Sequence, residues 1–351
     1  GYNADGEMLL GPNSGDGNQQ YNFDKFVRDQ NTDKFTMNQS FTVNFMKGLS
    51  LKLGAIWYYQ EEKDESFNKD YLSSPGNKVT SRSTSAYYDR TLDQTYNAVL
   101  NYNYQINKDH YLDAMAGFEY YDSYNKGFNA SGSGAPTDDF MDLQYTSKEE
   151  GKRSIDSWHS RQRIMSFFGR VNYKFMDRYI LTASLRADGS SLLASGHKWG
   201  YFPSVALAWR MNEEAFLKNI DNLSNLKLRL SWGESGQSAI DPYQTIGLLG
   251  SSTYSFNNEL ASGLYPKTMS NKNLTWETTS VFDLGVDFGL FNNRLSGSLD
   301  IYKSYTRNVL MNRKIPSTNG YSDVMENIGL NRSSFSTKKL SNCHKLKIFR
   351  K

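Results

Sequence analysis

The sequence predicts an all-β chain, about ten strands in five hairpins, forming part of a large antiparallel transmembrane β-barrel. Three observations carry this reading. Apolar and polar residues alternate with period two, as side chains on opposite faces of a strand must. The alternating stretches exceed the roughly 5–6 residues usual for a soluble strand, and a bilayer takes about 9–11 tilted residues. Connections are tight within hairpins, with one exception, and long, polar and rich in Gly, Ser and Asn between them, as a barrel with short turns on one side of a membrane requires.

The first hairpin follows a Gly/Asn/Asp-rich opening. Phe35, Met37, Phe41, Val43 and Phe45 share one face, and after Met46-Lys47-Gly48 the return runs through Leu49, Leu51, Leu53, Ala55, Trp57 and Tyr59. Residues 60–89 are too polar for a buried connection and read as a loop. The second hairpin sets Tyr96, Ala98, Leu100, Tyr102 and Tyr104 against Leu112, Ala114, Ala116, Phe118 and Tyr120, and residues 121–162 read as a further loop. In the third, Met165, Phe167, Val171, Tyr173 and Phe175 turn at Met176-Asp177-Arg178 into Tyr179, Leu181, Ala183, Leu185 and Ala187. The fourth pairs Val205, Leu207, Trp209 and Met211 with Leu226, Leu228, Leu230 and Trp232 through a longer link. After a loop over 234–275, the fifth has the cleanest alternation. Trp276, Phe282, Leu284, Val286, Phe288 and Leu290 oppose Asp283, Gly285 and Asp287, and Phe291-Asn292-Asn293-Arg294 forms the turn, with Asn where positive φ is tolerated. Leu299 and Ile301 continue the apolar row on the return, and Lys303 interrupts it.

Composition agrees. Aromatic residues make up 14% of the chain, with 24 Tyr and 20 Phe, and they bunch toward strand ends as interfacial girdles do. Mean hydropathy is −0.67, and no run approaches the ~18 apolar residues of a membrane helix. A barrel hides its apolarity in alternation, so this excludes only helical membrane proteins. The first residues have no signal-peptide pattern, which predicts a cytoplasmic chain or one whose start is missing. The net charge of +3 has an uneven origin. Residues 331–351 hold seven Lys/Arg, no acid and the only Cys, Cys343, leaving 33 basic against 37 acidic residues before them. The expected division is therefore a barrel domain over 1–330 and a non-native basic tail, from a frameshift or truncation, over 331–351. No nucleic-acid partner is expected.

Four segments carry a resemblance: FFGRVNYKFMDRYILTASLRADGSS (167–191), KWGYFPSVALAWRMNEEAFL (198–217), LKLRLSWGESGQSAIDPYQT (226–245) and NKNLTWETTSVFDLGVDFGLFNNRLSGSLDIYKSYTRNVLM (271–311). Together the chain, over about 34–329, resembles the SusC/RagA family of TonB-dependent outer-membrane nutrient transporters of the Bacteroidota. The resemblance implies a barrel of about 22 strands around a plug. It also implies a SusD-like lipoprotein lid, energy coupling through TonB and an oligosaccharide or peptide cargo. Nothing in the sequence resembles that family's signal peptide, TonB box or plug, so an internal barrel fragment is expected.

Catalytic and metal chemistry find no support, and neither an enzyme nor a cofactor is expected. Ser235 in GESGQS misses the G-x-S-x-G spacing of a nucleophile elbow. His110, His159, His197 and His344 lack ligand spacing, and Asp138, Asp139 and Asp142 lack a Ca²⁺-loop pattern. The alternation instead predicts two faces. Phe282, Leu284, Val286, Phe288, Leu299 and Ile301 are expected to meet lipid. Arg170, Arg186, Arg210, Arg229, Asp283 and Asp287 are expected to face the lumen, paired with one another or with the plug, because an unpaired buried charge is costly. Loop tyrosines such as Tyr71, Tyr88, Tyr145, Tyr254 and Tyr265 could stack on sugar rings, and they single out no substrate. Two rival readings remain open at this level. One is a passive porin, the other a soluble all-β binding or structural module.

Overall fold

A computed structural model describes Ala4 and residues 25–341, leaving out 75–76, 221, 257–258, 317, 319 and 322. Its main feature is an eleven-stranded sheet. The strands are β1 (Phe26–Met46), β2 (Leu49–Asn68), β5 (Ser83–Gln105), β6 (His110–Ser133), β7 (Arg153–Phe175), β8 (Tyr179–Ser190), β9 (Trp199–Arg210), β10 (Leu223–Gln237), β13 (Glu277–Leu290), β14 (Leu295–Arg307) and β17 (Leu330–Ser341). They lie in chain order, so each strand pairs with its predecessor and its successor. Small two-stranded ribbons sit in three of the longer connections: β3 (Tyr71–Ser74) with β4 (Asn77–Val79), β11 (Leu249–Phe256) with β12 (Glu259–Pro266), and β15 (Leu310–Lys314) with β16 (Asp323–Asn327).

The tight turns follow from their residues. Met176 and Asp177 adopt φ of 53° and 52°, and Phe291, Asn292 and Asn293 adopt 55°, 56° and 60°. Paired positive φ values match the right-handed twist of the flanking strands. Gly48 reaches φ +86°, and a Cβ there would lie 2.1 Å from the Asn103 carbonyl oxygen, so only glycine fits in the β1–β2 turn against β5.

The sheet has eleven strands, in line with the about ten expected. Two expectations need correction. The early strands are far longer than their apolar alternation suggested: β5, β6 and β7 hold 23, 24 and 23 residues. Most of 60–89 and 121–162, read as loop, is therefore strand. The alternation fails there because polar cross-strand pairs hold the ladder on both faces. Arg28 bonds Asp64, and Arg161 bonds Asp122 at 2.8 and 2.5 Å. Trp276 is the second correction. It precedes β13 and turns away from the apolar row into a buried cluster with Leu192, Leu193, Phe202, Ile240 and Leu274. Its indole N–H donates to the Lys198 carbonyl at 2.8 Å.

The contacts divide the chain into two compact units. One comprises Gly1–Asn38, Ile56–Gln94 and Asp122–Arg161; the other comprises Gln39–Ala55, Thr95–Tyr121 and Gln162–Lys351. The first contains the polar strand extensions. The second contains the tight turns named above, the clean alternation and the buried cluster around Leu193 and Leu274. β17 is in register with β14 from Arg307↔Leu330 to Ser296↔Ser341. Residues 342–351, with Cys343 and His344, lie outside the described residues.

Candidate functional site

Register assembles the apolar face. Leu228, Val286 and Leu299 are neighbours across β10, β13 and β14, as are Leu230, Leu284 and Ile301 one step along. Phe282, Leu284, Leu299 and Ile301 are exposed, Val286 and Phe288 half-buried. The row continues through Val205 and Leu207 of β9, Leu181 and Leu185 of β8, and Phe167 and Val171 of β7, all exposed. A contiguous apolar face of this extent is unusual for a surface in water and marks a binding or membrane surface. Lys303 lies opposite Phe282 in this row and places its ammonium 5.1 Å from the Tyr305 ring centre.

Near the tight turns the row ends in aromatics with polar tips. Tyr179 stacks between Phe175 and Trp209, and His110 bonds the Tyr173 hydroxyl. Glu214, in the β9–β10 connection, gathers this edge. It accepts from the Tyr179 hydroxyl at 2.7 Å, the Trp209 indole at 3.0 Å and Arg178 at 3.2 Å. These donors hold its carboxyl below the usual range, the Tyr179 hydroxyl most of all. Rings with an apolar body and a bonded polar end suit a boundary between hydrocarbon and water.

The opposite face carries the charges. Arg229 of β10 donates to Asp287 at 2.9 and 2.8 Å and to Asp300 at 2.7 Å, spanning three strands. Gly285 lies between them. A Cβ there would stand 2.4 Å from Asp300 Oδ1 and 2.7 Å from Arg229 Nη2, so its missing side chain is the channel for the bridge. Arg186 makes a second knot, with Asp188 at 2.7 Å, Glu119 at 3.1 Å and the Ser166 hydroxyl at 2.9 Å, over the Phe168 ring.

The other residues singled out from the sequence are spread along this face. Arg210 lies at the tight-turn end, bonded to Glu213 and the Asp177 carbonyl. Asp283 is in register with Ser231 and Tyr302, and Arg170 is exposed opposite Ser184. Asp300, Glu119 and Glu214 were not singled out. Alternation finds a face, but the partner across a strand needs the register. Tyr88, expected in a loop, lies in β5 with its hydroxyl on Glu61 at 3.2 Å. Among the described residues no His/Cys/Asp/Glu group could hold a metal ion, and no helix is long and apolar enough to cross a membrane.

A chain-order antiparallel sheet, apolar on one face and charge-paired on the other, with tight turns at one end, is a stretch of β-barrel wall. The chain belongs to the TonB dependent receptor-like, beta-barrel family, whose model matches residues 1–334. It is similar to TonB-dependent receptor P3 of Formosa agariphila, 31% identical over 333 residues, which cover 93% of this chain and 32% of that protein. It is also similar to TonB-dependent receptor SusC of Bacteroides thetaiotaomicron, 37% identical over 229 residues, covering 62% of this chain and 22% of that one. Among solved structures, the RagAB peptide transporter superposes with a TM-score of 0.87 at 24% identity, over 97% of this chain and 37% of that one. The chain spans about a third or less of these relatives' length.

Proposed function

We propose that this chain is wall of an outer-membrane active transporter that imports oligosaccharide or peptide nutrient. It works with a SusD-like lipoprotein lid and draws energy through TonB. The observation that carries the reading is the division of one sheet into an exposed apolar face and a charge-paired face, in a chain of this family. In this reading residues 1–330 are barrel, with tight turns toward the periplasm and long connections outside. Phe282, Leu284, Val286, Phe288, Leu299 and Ile301 meet lipid. Arg170, Arg186, Arg210, Arg229, Asp283 and Asp287 face the lumen.

The chemistry follows from the pairing. Arg186 and Arg229 each carry two carboxylates, so the inner wall presents bonded charges that a passing solute cannot capture cheaply. The wall stays hydrated without becoming a strong ion trap. The test uses the full-length receptor in its own outer membrane, with uptake of labelled oligosaccharide and labelled peptide followed with and without TonB. Uptake of either one that stops without TonB supports the proposal. Uptake that persists identifies a passive pore and overturns it.

A further inference from the structure

Residues 153–162 show no apolar alternation, yet β7 passes through them and places Trp158 on the sheet. The indole crosses β6 at Gly127 and reaches β5. A Cβ at Gly127 would lie 2.3 Å from Trp158 Cζ2 and 2.6 Å from Cε2, so the glycine leaves the space in which the ring lies against the strand. The ring's edge is fixed. Nε1–H points at Asp89 Oδ1 and Asn125 Oδ1, at 3.2 and 3.1 Å. Asn125 Nδ2 in turn donates to both Asp89 oxygens, at 2.9 and 2.8 Å, and meets Thr91 Oγ1 at 3.0 Å. Tyr87, two residues before Asp89 and so on the same face of β5, lies 5.5 Å from Trp158 between ring centres, tilted by 31°. Both rings are half-buried, neither enclosed nor free.

This arrangement is a fixed aromatic surface bordered by a carboxylate and an amide. Because the indole is pinned at its edge, a ligand that stacks on it pays little side-chain entropy. A carboxylate offers about four acceptor sites, and Asn125 and Trp158 take up only some of those on Asp89. An apolar plate beside spare acceptors complements a pyranose, which has an apolar C–H face and a rim of hydroxyl donors. A peptide would also need donors for its carbonyl groups, and the N–H donors around Trp158, on Asn125 and the indole itself, are already given to Asp89, Asn125 and Thr91.

We infer that Trp158 and Tyr87 form a stacking platform for a pyranose ring of a neutral oligosaccharide, held in place by Gly127, Asp89 and Asn125. The inference rests on the transport reading and selects saccharide over peptide within it. The test is calorimetric titration of the full-length receptor in detergent with neutral hexasaccharides of glucose, galactose, mannose or xylose, and with hexapeptides. Wild type is expected to bind at least one hexasaccharide, and Trp158→Ala to weaken it tenfold or more. Gly127→Val keeps the indole but denies it its bed, and is expected to weaken the same hexasaccharide. Trp232→Ala, on the apolar face, is expected to leave binding unchanged, with folding of each variant checked by circular dichroism. Hexasaccharide binding unaffected in folded Trp158→Ala overturns the platform, as does binding of peptides alone or of none of the sugars. A receptor that binds the sugar through Trp158 and imports nothing overturns the transport reading and leaves the platform standing.

Discussion

Single side chains carry the sharpest consequences. Val286 has Leu228 and Leu299 as its cross-strand neighbours. Where Val286 meets lipid, as proposed, an arginine at this mid-strand site is expected to cost about 2–4 kcal/mol, read by refolding the full-length receptor with Val286→Arg into lipid. One residue earlier the reason changes. Gly285→Val drives a branched side chain into the Arg229–Asp300 bridge, so it is expected to destabilise through broken ion pairs, and Arg229→Ala to cost about 1 kcal/mol at this partly exposed site. If Arg229→Ala abolishes the effect of Gly285→Val in a double-mutant cycle, the bridge is the cause. Glu214 gives the pH dependence. Its carboxyl is held below its unfolded value, about 4.3, so its contribution is present above that pH and lost as pH falls through the lower folded value. Trp209 fluorescence in the full-length receptor is expected to titrate in that acid window, and the step should vanish in Glu214→Gln.

At the scale of strands and turns, the left-handed residues are the weak points. Asn292→Val and Asp177→Val each place a β-branched side chain at positive φ, expected to cost about 1–2 kcal/mol. Urea midpoints that move less in these variants than in Ser296→Val would contradict the turn assignment. The period of two revealed β7 to β10, β13 and β14 because each has one apolar face. It missed the outer halves of β5, β6 and β7, whose ladder is held by Arg161–Asp122 and Asn125–Asp89 and leaves no apolar signature. Trp158 and Tyr87 were hidden for the same reason. Arg229 and Asp287 were legible as members of a face, but Asp300 as their partner needed the β13–β14 register.

For the molecule as a whole, the limiting feature is the sheet's two margins. Among the described residues β1 and β17 have a strand neighbour on one side only. In hydrocarbon each unsatisfied backbone group costs several kcal/mol, and in water such edges recruit other chains. The 351-residue chain expressed alone is therefore expected to sediment as associated material, and a monodisperse 40.1 kDa monomer by light scattering would falsify this. The order of the sheet has a further meaning, for time. Each strand's partners are the ones made just before and just after it, and a hairpin closes in about 1–10 μs. No strand's partner lies beyond its next neighbour in the sheet, so the wall is expected to grow by adding one finished hairpin to the last, with no early strand waiting for a distant one. The same sequential logic applies to descent: a hairpin gained or lost leaves its neighbours' registers unchanged, so such a wall changes width in steps of two strands.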